Sequence, residues 1–184
     1  HYQTGAKHFV IGDFMNMFVG RQREINVDSD IRSVVLISSG AEYFQSLVVL
    51  GQKLLAVDSQ LEIVYRPRPD EQLNQREIFS LDRLGIKVHK GSREELFNFD
   101  LVIGINSTLM VELSSSGLPI LILKYGSYFE LDTRILSSWW EYICTSSSLE
   151  DISRMLKRVQ SGKKRSDIKS DAPLFDIEVL LDDR

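Results

Sequence analysis

Two short stretches of small, hydroxyl-bearing residues in this chain have the chemistry to hold an anion. Ser38-Ser39-Gly40 follows the apolar run Ser33–Ile37, and Gly104-Ile105-Asn106-Ser107-Thr108 closes the run that begins at Leu101. Each leads into a segment of helical periodicity. A helix start offers unpaired amides and a partial positive charge, which suits a phosphate. Ser107 and Thr108 would add hydroxyl donors, and Gly40 and Gly104 would let a ligand approach the backbone closely. Ser, Thr and Asn before a helix are also ordinary N-caps, so either stretch alone reads equally well as a helix start. Arg66-Pro67-Arg68-Pro69 carries two guanidinium forks matched to phosphate oxygens, on a loop stiffened by its prolines. Its plainer reading is an exposed turn with two solvated arginines. Glu112 lies one turn beyond Thr108 in an otherwise apolar segment. There a carboxylate can accept two hydrogen bonds from ribose hydroxyls, or simply occupy a partly exposed helix position.

Other residues offer less. The three histidines, His1, His8 and His89, show no metal-ligand spacing, so no metal site is expected. His89 reads as a loop residue at a strand end, and Cys144 as a core residue rather than a nucleophile. Ser38 is not in a nucleophile-elbow sequence, and no Ser-His-Asp set can be argued. Trp139-Trp140 has the chemistry to stack on a base or sugar, with interdomain packing the plainer use. Lys163-Lys164-Arg165 reads as a solvated helix end, with contact to anionic lipid as its second use. Neither G-x-G-x-x-G nor a Walker A sequence is present, so a standard NAD or FAD domain is not expected.

These residues are separated by alternating apolar runs and helical periods. The spacing predicts strands at Ser33–Ile37, Leu61–Tyr65, Ile86–His89, Leu101–Ile105, Pro119–Leu123 and Tyr142–Cys144. It predicts helices from Tyr43 to Val57, around Ile78, Leu81 and Leu84, from Ser92 to Phe99, from Thr108 to Ser116, and from Leu149 to near Gly162. Ser92 with Glu95, and Ser147 with Glu150, have capping-box spacing. Gly117 suits a left-handed helix end, with Pro119 just beyond. Residues 1–30, with a short apolar stretch Phe9–Gly12, read as a linker segment, and residues 163–184 as a charged tail with an apolar patch at Leu180-Leu181. Strands apolar on both faces, alternating with helices, imply an α/β fold: a Rossmann-like doubly wound parallel sheet of about six strands with helices on both faces. A strand order of 3-2-1-4-5-6 would bring Ser38–Gly40 and Gly104–Thr108 together at the order reversal, where such sheets take ligands.

Composition limits the function classes. The 184 residues suffice for one core, over residues 31–162, and the net charge of −4 does not describe a protein built to grip nucleic acid. No run approaches the roughly 20 apolar residues of a membrane span, and no signal-peptide pattern stands at the start. A single cysteine forms no internal disulfide, which fits a reducing, cytoplasmic setting.

The stretch from Ser92 through Asp100-Leu-Val-Ile-Gly104 and Ser107-Thr108 to Glu112, followed by Gly117-Leu-Pro-Ile-Leu121, resembles the C-terminal half of GT-B glycosyltransferases. It is most similar to the bacterial surface-polysaccharide group, which includes sialyl- and polysialyltransferases and glycerophosphate polymerases. There a short helix precedes an aspartate, an apolar strand, a Ser-Thr pair, a helix bearing Glu, a Gly-x-Pro and a further apolar strand. Nucleotide-sugar epimerases share the pattern, and the likeness covers roughly Ile31 to Gln160. It implies that Ser107 and Thr108 hold the donor phosphate, that Glu112 holds ribose or sugar hydroxyls, and that Ser38–Gly40 face the donor across the cleft. Many of these enzymes end the second strand in a His-Pro pair that touches phosphate, where this chain has Arg68-Pro69.

The resemblance implies an inverting, metal-independent transferase without a cofactor, using a CMP-, CDP- or UDP-linked sugar. It would work in the cytoplasm, at the inner face of the membrane. Its catalytic base usually comes from an N-terminal half with which this unit would pair, so the chain alone is expected to bind donor without turnover. A non-catalytic nucleotide-sugar-binding or assembly domain, and an epimerase-like enzyme, are the alternatives.

Overall fold

The computed structural model describes residues 30–125, 133–136 and 138–161. The linker segment, the Phe9–Gly12 stretch, the charged tail, Lys163-Lys164-Arg165 and the expected helix stop at Gly162 lie outside the described residues. Six parallel strands form one sheet in the order β3-β2-β1-β4-β5-β6. They are β1 (Ser33–Ile37), β2 (Glu62–Arg66), β3 (Lys87–Val88), β4 (Leu101–Gly104), β5 (Ile120–Leu123) and β6 (Trp140–Ile143). Among the described residues, four α-helices accompany them: α1 (Phe44–Val57), α2 (Gln75–Arg83), α3 (Thr108–Ser115) and α4 (Leu149–Gln160). The fold is thus Rossmann-like α/β.

Alternation along the strands divides the core in two. Val34, Leu36, Ile63, Tyr65, Leu101 and Ile103 point to the side covered by α1, α2 and α4. Val35, Ile37, Val64, Val102, Ile120 and Ile122 point to the side covered by α3 and the short 3₁₀ turn Glu94–Asn98. Burial on both faces explains why these strands are continuous apolar runs rather than alternating ones. Leu47, Leu50, Gly51 and Leu54 of α1 recur at helical spacing and are buried. Helix α1 lies so close to the sheet that a Cβ on Gly51 would stand 2.8 Å from Ile86 and 3.1 Å from Leu36. Lys53 Nζ donates to the carbonyls of Thr145 and Ser147 at 2.6 and 2.8 Å, tying α1 to the loop before α4.

Several boundaries differ from the sequence expectation. The second cap belongs to Ser148 and Asp151, one residue beyond Ser147 and Glu150, because both halves of the box close there. Ser92 caps nothing with its side chain. Glu95 reaches back to the Ser92 amide at 3.2 Å, and the segment is a 3₁₀ turn rather than an α-helix. Helix α2 opens on a capping box of Asn74 and Glu77, a start beyond those expected from the sequence. It sits over the sheet's short edge, where β3 has two residues, so of its expected apolar stripe Leu81 is buried while Ile78 is 46% exposed. Strand β6 starts at Trp140 and ends before Cys144. Trp139 packs against one core and Trp140 against the other, so the pair straddles the sheet. Gly117 takes the left-handed conformation expected at the end of α3, with φ of 90°.

Candidate functional site

Because all six strands run parallel, their carboxyl ends share one edge, and the order reverses between β1 and β4. The loops after these two strands meet there directly. The Asn106 amide donates to Ser39 Oγ at 3.0 Å. Ser38 is buried, and its Oγ accepts the Gly40 amide at 3.1 Å, folding the loop back on itself. Gly40 has φ of 150° and ψ of 160°, a conformation that side-chain-bearing residues rarely adopt.

Ser107 is the N-cap of α3, its Oγ accepting the Leu109 amide at 3.3 Å. The capping reading therefore holds for its lone pair, and the hydroxyl keeps a proton to donate. Thr108 is exposed at the first helical position and Asn106 is exposed beside it. At Gly104 the missing side chain makes room for Met110. A Cβ there would lie 2.6 Å from Met110 Sδ and 3.2 Å from the Ile37 carbonyl.

The two arginines of the Arg-Pro-Arg-Pro loop have different places. Arg66 is the last residue of β2, and its Nη1 reaches His89 Nδ1 at 3.2 Å and the carbonyls of His89 and Gly91 at 3.4 and 3.0 Å. It braces the chain just beyond β3, which departs from the solvated arginine of the plainer reading. Arg68 stays at the site edge. Its Nη1 donates to the Ser39 carbonyl at 3.2 Å, and its Nε and Nη2 hold Asp70 at 3.1 and 3.3 Å. That fork is half exposed. The loop is anchored from below by Tyr65, fully buried, whose hydroxyl donates to Glu71 Oε1 at 2.9 Å. Glu71 Oε2 in turn accepts the Arg68 amide at 3.0 Å. Burial pushes the Tyr65 phenol well above its ordinary value, so it acts only as a neutral donor.

Glu112 is buried, not partly exposed, and its carboxylate pairs with the Arg93 guanidinium from the loop after β3. His89, read from the sequence as a loop residue, has a side chain only 8% exposed. A guanidinium only donates, so His89 Nδ1 accepts from Arg66 and the ring proton sits on Nε2, 3.4 Å from Glu95 Oε2. Sequence spacing carried no signal for the Arg66–His89, His89–Glu95 and Arg93–Glu112 contacts, which join separate elements. Among the described residues no group of three or more His, Cys, Asp or Glu could hold a metal. No helix among them is long and apolar enough to cross a membrane.

Burial holds the His89 imidazole below its ordinary value, Arg66 adds to this, and Glu95 opposes it. The unfolded chain then binds the proton more readily than the folded one. Stability is therefore full above roughly pH 6.5 and declines as pH falls below it. Urea unfolding at about pH 7.5 and about pH 5.5 checks this, and His89→Gln is expected to lose less between the two than the parent does.

No protein-family model matches the chain, and no curated protein sequence matches it. Among solved structures it is similar to an imine reductase from Myxococcus stipitatus in complex with NAD+, at 12% identity and a TM-score of 0.42. That match covers 65% of this chain and 42% of the reductase. It is similar to KpsC of Thermosulfurimonas dismutans, a beta Kdo 2,4 transferase, at 12% identity and a TM-score of 0.37, over 66% of this chain and 47% of that one. It is also similar to glucose dehydrogenase from Haloferax mediterranei, at 12% identity and a TM-score of 0.41, over 82% of this chain and 45% of the enzyme. The chain thus spans less than half the length of each of these structures.

Proposed function

We propose that this chain is the donor-binding half of a GT-B glycosyltransferase of surface-polysaccharide or glycan synthesis, taking a CMP-, CDP- or UDP-linked sugar. The observation that carries this reading is the joining of the β1 and β4 loops, through Asn106 and Ser39, directly before the Ser107-capped start of α3. An anion held there meets the Ser107 and Thr108 hydroxyls and the positive end of the helix. The run from Asp100 to Glu112 and Gly117-Leu-Pro, which resembles the donor half of these transferases, supports the sugar nucleotide over other phosphates.

In this reading the chain stabilises the departing nucleotide by hydrogen bonds and positive charge, without a metal or cofactor. The catalytic base and the acceptor site belong to a second α/β unit, and the pair works in the cytoplasm at the inner face of the membrane. The place of the family's phosphate-touching histidine is held by Arg68, already bonded to Asp70, which favours a binding-only role as the second reading.

Titration of the chain with CMP-, CDP- and UDP-linked sugars tests the proposal. One of the three is expected to bind, and Ser107→Asp to abolish that binding while keeping the helix cap, since Asp caps as well as Ser but repels phosphate. Absence of binding by all three overturns it. Binding without transfer, when the second half is supplied, favours the binding-only reading.

A further inference from the structure

We infer that the Tyr43–Tyr125 ring pair is a stacking platform for the nucleobase of the ligand, on the wall of the order reversal opposite α3. It rests on the donor reading for the phosphate that would bring a base there. Tyr43 closes the short 3₁₀ turn Ala41–Tyr43 after the β1 loop, and its amide donates to the Gly40 carbonyl at 3.1 Å. Tyr125 comes two residues after β5. Their rings meet edge to face, with centroids 4.9 Å apart and planes at 88°.

Strand order gives this contact its place. β4 lies between β1 and β5, so a contact between residues that follow β1 and β5 crosses the carboxyl end of β4. Register agrees: Gly104 pairs with Ile122, and Ser107 and Tyr125 each come three residues after that paired level. Alternation sets the face. Leu121 and Leu123 of β5 point to the α1 side, and Tyr125 continues their alternation. Tyr43, the N-cap of α1, packs against the same core, which also holds Ile105. Helix α3 covers the other face. The chain leaving β4 therefore runs from the ring pair on one side of the sheet to the Ser107 cap on the other.

Tyr43 is partly buried, whereas Tyr125 is 47% exposed. Of the other large exposed apolar side chains, Ile78 and Phe79 lie on α2 and Leu149 on α4, away from the loops of the order reversal. An edge-to-face contact occupies at most one face of either ring. Tyr43 thus fixes the plane of Tyr125 and leaves at least one of its faces for a second flat partner. Every base has a π-face that stacks on such a ring, and its ribose links it to a phosphate. The platform favours nucleotides over base-free phosphates without choosing among bases.

Calorimetric titration of the 184-residue chain with CMP and UMP, and with ribose 5-phosphate and inorganic pyrophosphate as base-free probes, tests this. At least one nucleotide is expected to bind about tenfold or more tighter than ribose 5-phosphate. Tyr125→Ala should remove that margin and leave both base-free probes unchanged. Tyr125→Phe, which keeps the ring, should retain the margin, and Tyr125→Leu, apolar but not flat, should lose it. A parent without the margin overturns the inference and needs no variant to do so. Nucleotide binding that Tyr125→Ala leaves unchanged, or an equal loss for the base-free probes, also overturns it. So does a Tyr125 dependence confined to the CMP-, CDP- and UDP-linked sugars, which would put the sugar rather than the base on the ring. Tyr125-dependent binding of CMP or UMP without any sugar-nucleotide binding would overturn the donor reading and leave the platform in place. Sugar-nucleotide binding indifferent to Tyr125 would do the reverse.

Discussion

Replacing Asp100 by Ala is expected to lower folding stability by about 2–4 kcal/mol while leaving ligand affinity unchanged. A single oxygen of Asp100, Oδ2, accepts the amides of Arg32 and Ser33, each at 3.0 Å, and the Ser33 hydroxyl at 2.8 Å. The Asp100 amide returns a bond to Ser33 Oγ at 3.1 Å. This cluster fastens the amino end of β1 to that of β4, the central pair of the sheet. Hydrogen bonds to a charged acceptor contribute about 1.5–3 kcal/mol each, but water replaces part of that at the exposed Arg32 amide, so the sum is discounted. The site lies at the opposite ends of the same strands. Urea unfolding beside a pyrophosphate titration separates the two readouts, and a loss of affinity larger than the loss of folded protein would contradict the assignment. With affinity unchanged, the aspartate of the family-like stretch is a strand fastener here, not a ligand residue.

Gly104→Val is expected to act on both, destabilising the fold by about 3 kcal/mol and removing ligand binding. Gly104 pairs with Ile122 of β5 inside the ladder and lies under α3. A Cβ at Gly104 meets the Met110 side chain, which can swing, and the Ile37 carbonyl, which cannot without distorting β1. Valine adds two further methyl groups to that crowding, so α3 must lift from the sheet. The helix carries Ser107 and Thr108 at its start, and lifting it draws them away from Ser39 and the β1 loop. Met110→Ala added to Gly104→Val makes room on one side only. The double variant should recover part of the stability, by a coupling that a simple sum of the two single changes misses. Thermal or urea unfolding of the three variants measures this, and purely additive losses would argue against the contact.

How much of this was legible beforehand follows from what each feature depends on. The strand cores, the α1 stripe and the left-handed Gly117 depend on local composition and on a period set by backbone geometry, so they can be read along the chain. Element ends were less legible. Ser147 and Ser148 are both acceptable caps, and which one closes the box is decided by where β6 delivers the chain. The 3₁₀ turn after Ser92 shows the same limit, since the Ser-x-x-Glu spacing is satisfied at one of its two bonds.

The candidate site divides along the same line. Residue types and spacing alone indicated that Ser38–Gly40 and Asn106–Thr108 follow apolar strands and precede helices, and the strand order then placed both at the reversal. Side-chain partners across elements could not be read that way. Arg66 turning inward to His89, Gly104 making room for Met110, and Arg93 covering Glu112 each join positions separated by other elements. The sequence by itself determined an α/β sheet with hydroxyl-bearing loops at one edge, because propensity and periodicity act over neighbouring residues. Only the tertiary structure decided which charged groups at that edge are already paired, because the pairing depends on packing distances between segments that the chain order leaves unspecified.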